Sequence, residues 1–175
     1  PGVDFENEEV QEELLNWLQW YHSITGFNGV RLDAVKHIDS KFFKEGLKVL
    51  RSRDSQSFAV GEYWSNDLKA LHNYLMDVDF SMQLFDVPLH HALENASKYE
   101  NFDLRDLNNK TLLSNNPDYA VTFVDNHDTQ RGQSLESWVQ EWFKPHAYAF
   151  ILLRDKGIPS VFYGDLYGSE QGNIT

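Results

Sequence analysis

Gly29-Val30-Arg31-Leu32-Asp33 is a short apolar run closed by a carboxylate, and two later stretches repeat the pattern. Ser57-Phe58-Ala59-Val60-Gly61-Glu62 ends on a second acid. Tyr119-Ala120-Val121-Thr122-Phe123-Val124 leads into Asp125-Asn126-His127-Asp128. Brief apolar runs of this length read as buried β-strands. The segments between them are amphipathic and helix-like. Strands that alternate with helices imply a parallel sheet covered by helices. In such folds the C-terminal ends of the strands carry the functional groups, and the acids stand there.

Working outward, residues 7–21 place Val10, Leu14, Trp17, Leu18 and Tyr21 on one helical stripe. Glu6, Glu8 and Glu9 suit the positive end of that helix. Residues 30–35 form the first strand, and Asp39-Ser40 caps a helix that runs to Arg51. Residues 58–60 are the second strand, and Ser65 or Asn66 caps the helix after it. Residues 82–87 form a third strand ended by Pro88, with a helix over 89–97 and a polar stretch through Asn116. Residues 120–124 are the fourth strand. A helical region over 134–153, broken near Pro145, leads to a fifth strand over 159–163. A closed (β/α)₈ barrel needs eight strands and ~250 residues, more than this chain holds. No glycine-rich phosphate loop follows the first strand, so nucleotide binding has little support.

Composition narrows the classes. The chain has 175 residues, enough for one core, with 41% hydrophobic and 14% aromatic residues, as a packed domain requires. A net charge of −12 without a Lys/Arg run argues against a nucleic-acid partner. With no cysteine there is neither a disulfide framework nor thiolate chemistry. The longest apolar stretch, residues 147–153, is too short to span a membrane, and no signal peptide opens the sequence. The expectation is a soluble protein with no membrane partner, cytoplasmic in preference to secreted. No H-x-H or H-E-x-x-H pair suggests zinc, and no G-x-S-x-G suggests a serine nucleophile.

Arg31 and Asp33 lie two apart on one strand and so project from the same face. A carboxylate fixed beside a guanidinium suits a nucleophile. Glu62 has no basic residue within three positions and is flanked by Tyr63 and Trp64, which suits a general acid. His127 and Asp128 together can donate to and accept from a sugar hydroxyl. Asp86, before Val87-Pro88 and a helix, reads as a structural cap. Acids with such divided roles match glycosidic bond cleavage with retention.

These motifs resemble a known family. Residues 26–38, Gly-Phe-Asn-Gly-Val-Arg-Leu-Asp-Ala-Val-Lys-His-Ile, are similar to the nucleophile motif of the α-amylase family of glycoside hydrolases. Val60-Gly61-Glu62-Tyr63-Trp64 resembles its acid/base motif, and residues 123–130 its third-acid motif. Phe162-Tyr163-Gly164-Asp165 resembles strand eight. The resemblance is greatest to the bacterial liquefying and cytoplasmic α-amylases. It implies a partial (β/α)₈ TIM barrel, strands four to eight, as one partial catalytic domain over residues 1–175. The inserted domain and the C-terminal β-domain lie outside this stretch.

The implied activity is endo-acting, retaining hydrolysis of α-1,4-glucosidic bonds in starch, glycogen or maltodextrins. Asp33 is implied as nucleophile, Glu62 as acid/base and Asp128 as transition-state stabiliser. Arg31, Lys36, His37, Trp64 and His127 are implied substrate contacts. The backbone carbonyl of His37 is an implied calcium ligand, the other ligands lying in the inserted domain; no chloride is expected. Asn28 stands where Asp is common, and Arg131 where close relatives have Pro. A transglycosylase, an α-1,6-glucosidase and a non-catalytic glucan-binding protein remain alternatives. The first and last strands of such a fragment are edges, which favour self-association and low activity.

Overall fold

Residues 3–168 are described by the structure, a computed structural model. The chain divides into two compact units, Pro1–Trp64 with Lys69–Leu84, and Ser65–Leu68 with Phe85–Thr175.

The first unit is built on three parallel strands. Strand β1 (Gly29–Leu32) pairs with β2 (Phe58–Gly61), Arg31 opposite Val60 and Leu32 opposite Gly61. β2 pairs in turn with β3 (Gln83–Phe85), Gly61 opposite Leu84. Helix α1 (Glu8–Thr25) starts where the Asn7 side chain accepts the Glu9 N–H, with two glutamates in its first turn. It ends at Gly26, whose φ of 64° is a left-handed conformation that glycine adopts without a Cβ penalty. Helix α2 (Ser40–Arg53) is capped by Asp39 and buries Phe43, Leu47 and Leu50. Helix α3 (Leu68–Asp77) buries Leu71 and Leu75, which join Ala59, Val78, Met82 and Leu84 in the core. Each of the larger side chains contributes about 1.5–3 kcal/mol on burial, Ala59 less. By contrast α1 buries no residue fully, and Trp17, Trp20, Tyr21 and Ile24 on it are 41–60% exposed.

The second unit holds β4 (Ala120–Phe123), buried at every position, paired in parallel with β5 (Ile158–Ser160). Helix α4 (Val87–Lys98) is N-capped by Asp86, as the sequence suggests. The fully buried Asp86 carboxylate accepts the Leu89, Leu112 and Leu113 N–H groups at 3.1, 3.0 and 2.7 Å. Burial nevertheless pushes its pKa up. It thereby staples the short helix α5 (Leu112–Asn115) to α4. Helix α6 (Lys144–Leu152) and the short helix α7 (Tyr163–Tyr167) flank β5 in sequence.

Four expectations need correction. The first strand ends at Leu32 rather than residue 35, since the chain turns at Asp33 and Ala34 into the 3₁₀ turn Val35–His37. The third covers only Gln83–Phe85, with Val87 already in α4. Residues 134–143 are turns rather than helix, because side chains take their backbone donors: Asp125 accepts from Val139 N and Ser97 from Gln140 N. Pro145 therefore begins α6 instead of breaking a longer helix, a position where its missing N–H costs nothing. The fifth strand is also shorter, since it ends at Ser160 and Tyr163 opens α7.

Candidate active site

In the first unit the chain leaves β1 at Leu32 and doubles back over the end of β2. Glu62 N donates to Leu32 O at 2.8 Å, and Val35 N donates to Glu62 O at 3.0 Å. Ala34 N donates to the Glu62 carboxylate, Oε2, at 3.2 Å. This crossing forces Ala34 to a φ of 47°, a left-handed backbone that a residue with a Cβ adopts only at a cost. Beneath the crossing, Gly61 lets Met82 and Leu84 pack against the strand. A Cβ there would meet Met82 Sδ at 2.8 Å and Leu84 Cδ2 at 3.0 Å.

Arg31 organises the two acids. Its Nη1 is 2.6 Å from Asp33 Oδ1 and its Nη2 is 3.0 Å from Glu62 Oε1. The contact to Asp33 is a hydrogen bond, whereas Glu62 Oε1 takes an ion pair without an aligned hydrogen bond. The Asp33 side chain is 73% exposed and that of Glu62 only 9%, so one acid faces solvent and the other is enclosed. The parallel register explains a feature that sequence proximity hides. Glu62 has no basic neighbour along the chain, yet it meets Arg31 across the strand pair, which corrects the expectation that only Asp33 stands beside a cation. What distinguishes the two acids is enclosure, not the guanidinium.

Lys36 Nζ donates to the Trp64 carbonyl at 3.0 Å, tying the 3₁₀ turn Val35–His37 to the segment after β2. His37 ends that turn and is exposed. Asn28 donates to Asp54 Oδ2 at 3.2 Å. With the Gln56 N–H, it holds the Asp54 carboxyl below its ordinary range. An aspartate at position 28 would face a second carboxylate there, which gives Asn a local reason.

In the second unit the loop after β4 is an Asx turn. Asn126 Oδ1 accepts the Asp128 and Thr129 N–H groups at 2.9 and 3.0 Å, and Thr129 Oγ1 accepts Asn126 N at 2.9 Å. His127 Nε2 lies 3.3 Å from Asp128 Oδ2, so the two side chains face each other. Arg131 stacks its guanidinium 4.8 Å from the Trp138 ring centroid, a contact proline could not make.

The sequence reading missed a buried cluster behind this loop. Lys144 Nζ approaches Asp165 Oδ1, Glu141 Oε1 and Asp125 Oδ2 at 2.7, 3.0 and 3.5 Å. Burial opposes its charge, but Asp165 and Glu141 outweigh that and hold its pKa up. Asp125 lies within a quoted motif, yet its partners are 19 and 40 positions away, beyond local pattern reading.

Among the described residues, His90, His91 and Glu94 bring ligand atoms within 4.8 Å of one another. His90 is fully buried, its Nδ1 2.7 Å from Val124 O and its Nε2 2.9 Å from Ser137 Oγ. Burial lowers its pKa to about 4, so the ring is a neutral packing element. Calcium takes six to eight oxygens. His37 can contribute one carbonyl to such a set but cannot hold the ion by itself.

The chain is similar to known proteins in sequence and in fold. Residues 1–174 match the family model described as the alpha amylase catalytic domain. An alpha-amylase of Geobacillus stearothermophilus is 53% identical over 174 residues, covering 98% of this chain and 32% of that protein. The cytoplasmic alpha-amylase of Escherichia coli K12 is 44% identical over 175 residues, covering 99% and 35%. The solved alpha-amylase of Geobacillus thermoleovorans, complexed with acarbose, superposes with a TM-score of 0.77 at 26% identity, covering 95% of this chain and 38% of that one. The chain thus spans about a third of the length of the curated relatives it matches.

Proposed function

Because this chain belongs to the α-amylase family of glycoside hydrolases, we propose that it supplies the catalytic acids of an endo-acting, retaining α-1,4-glucan hydrolase. Its strands and helices are part of a (β/α)₈ barrel, strands four to eight. Residues 1–175 act as one partial catalytic domain, completed by the strands and domains that relatives carry elsewhere. The substrate is starch, glycogen or maltodextrin.

The observation that carries the reading is the single guanidinium of Arg31 in contact with both Asp33 and Glu62. Asp33 attacks the anomeric carbon while Glu62 protonates the departing glycosidic oxygen. A covalent glucosyl ester forms on Asp33. Glu62, now ionised, takes a proton from water, which cleaves the ester with net retention. Asp128 stabilises the positive charge on the sugar ring in both transition states. Lys36, His37, Trp64 and His127 contact flanking glucose units. Lys36-His37 after the nucleophile favours an amylase over an α-1,6-glucosidase or a transglycosylase. Calcium, which the family implies, would be held in part by the His37 carbonyl and would supply a structural cross-link rather than chemistry at the acids. Chloride has no proposed role.

Glu62→Gln in the natural protein tests the assignment. Turnover of maltoheptaose should fall by several orders of magnitude, and an aryl maltoside with a good leaving group should lose much less, since it needs little protonation. Equal losses on both would remove Glu62 from the acid role.

A further inference from the structure

We propose that Lys144, Asp125, Asp165 and Tyr148 form a positioning network that fixes the Asp128 loop in its working conformation. The proposal rests on the assignment of Asp128 as the third acid and extends it to residues with no place in the three motifs' chemistry.

The network is continuous within the second unit. The Tyr148 hydroxyl donates to Asp165 Oδ2 at 2.5 Å and accepts Phe162 N at 3.4 Å, anchoring the start of α7. Lys144, one helical turn before Tyr148 on the same face of α6, donates to Asp165 Oδ1 at 2.7 Å and lies 3.5 Å from Asp125 Oδ2. Asp125 Oδ1 accepts the Thr129 hydroxyl at 3.0 Å and both its oxygens receive Val139 N at 3.2 Å. The same Thr129 hydroxyl accepts Asn126 N, and Asn126 Oδ1 holds the Asp128 N–H. Asp128 is therefore three hydrogen bonds from the Asp125 carboxylate, with no solvent-exposed link between Asp125 and Thr129. Both of those residues are buried, 3% and 0% exposed.

The placement of Lys144 supports a tertiary role. A cation in the first turn of a helix opposes the helix dipole, so local preference does not put it there. Its side chain is 15% exposed and its ammonium lies within 4 Å of three carboxylates. Removing that charge leaves Asp125 and Asp165 facing each other without a counter-ion, and the loop loses its fixed end. A small displacement of a group that acts on the transition state costs rate more than binding.

The test compares Lys144→Met, Lys144→Arg and Asp128→Asn in the natural protein that carries this sequence. Steady-state kinetics on maltoheptaose are read beside peptide-level hydrogen exchange over residues 125–130, 137–140 and 120–123. Lys144→Met should lower kcat by about 10- to 100-fold with KM within about twofold. Exchange over 125–130 and 137–140 should speed at least about tenfold while β4 stays protected. Lys144→Arg, which keeps the charge, should recover most of both. Tyr148→Phe, a smaller change, serves if Lys144→Met does not fold, and should give the same pattern at reduced size. Unchanged exchange at the loop, or a KM effect without a kcat effect, overturns the network. Full activity of Asp128→Asn with loosened exchange in Lys144→Met would instead overturn the assignment of Asp128 and leave the network standing.

Discussion

Arg31 reaches Glu62 across the β1–β2 pair, its Nη2 3.0 Å from Oε1, while the other arm of the same guanidinium holds Asp33. A planar fork can address two carboxylates at once, which a single ammonium cannot do with the same geometry. Arg31→Met should therefore lower kcat/KM on maltoheptaose by about 100-fold or more, and Arg31→Lys should recover little of it. Full recovery in the lysine variant would mean that charge alone, without the fork, suffices.

Ala34 carries the strain of the same crossing. Its φ of 47° favours glycine, while its N–H is committed to Glu62 Oε2. Ala34→Gly relieves the Cβ clash and loosens the unfolded chain, two effects of similar size, so stability should change by less than about 1 kcal/mol. Ala34→Val places a β-branched side chain in the left-handed region and should cost about 2 kcal/mol or more. Denaturant midpoints of the two variants check this; equal midpoints would show that the backbone is not strained.

Asp125 gives a pH dependence with a definite sign. Burial, helped by the Asp165 charge and opposed by Lys144, raises its pKa to about 7. Lys144, Glu141, Asp165 and Tyr148 are the titratable groups that surround it through Lys144. The folded protein thus keeps a proton that the unfolded chain has released, and this group's contribution to stability falls as pH rises from about 4 to about 7. Below and above that window its contribution is flat. In Asp125→Asn the slope disappears, so the variant should gain on the parent by a few kcal/mol, on the order of the shift, between about pH 4.5 and about pH 7.5. Parallel stability curves for the two proteins would contradict the raised pKa.

Unpaired surface predicts the behaviour of residues 1–175 expressed alone. β1 is paired with β2 on one side, and α1 leaves Trp17, Trp20, Tyr21 and Ile24 open. β5 leaves Ile158 41% exposed, and Leu153, Tyr163 and Tyr167 near it are 70–85% exposed. Such edges and apolar faces recruit other chains. Light scattering should show self-association, and starch hydrolysis should be weak or absent. A monodisperse, fully active monomer would contradict this expectation.

Much of the fold was legible because burial writes itself into short apolar runs. Ala59, Leu84 and Val121 are buried on three of the strands that those runs mark. β1 and β5 are only partly covered, so the expectation of buried strands is corrected for those two. Asp39 and Asp86 cap helices as the sequence suggests. The segment 134–143 was not legible, because its apolar residues mimic helical spacing while Asp125 and Ser97, far away in sequence, claim its backbone donors. The proposed acids Asp33, Glu62 and Asp128 were picked out from their places after strands. The Arg31–Glu62 ion pair and the Lys144 cluster were not, because strand register and tertiary packing bring those groups together and chain spacing does not record either.

The central claim is that Asp33 forms a covalent bond to the sugar. A 5-fluoro glucosyl fluoride, which slows hydrolysis of the ester, should label the natural protein carrying Glu62→Gln, and peptide mass spectrometry should find one glucosyl adduct on Asp33. An adduct on Asp128 instead of Asp33, or no adduct together with a first-formed product of inverted anomeric configuration in the parent protein, would contradict the account.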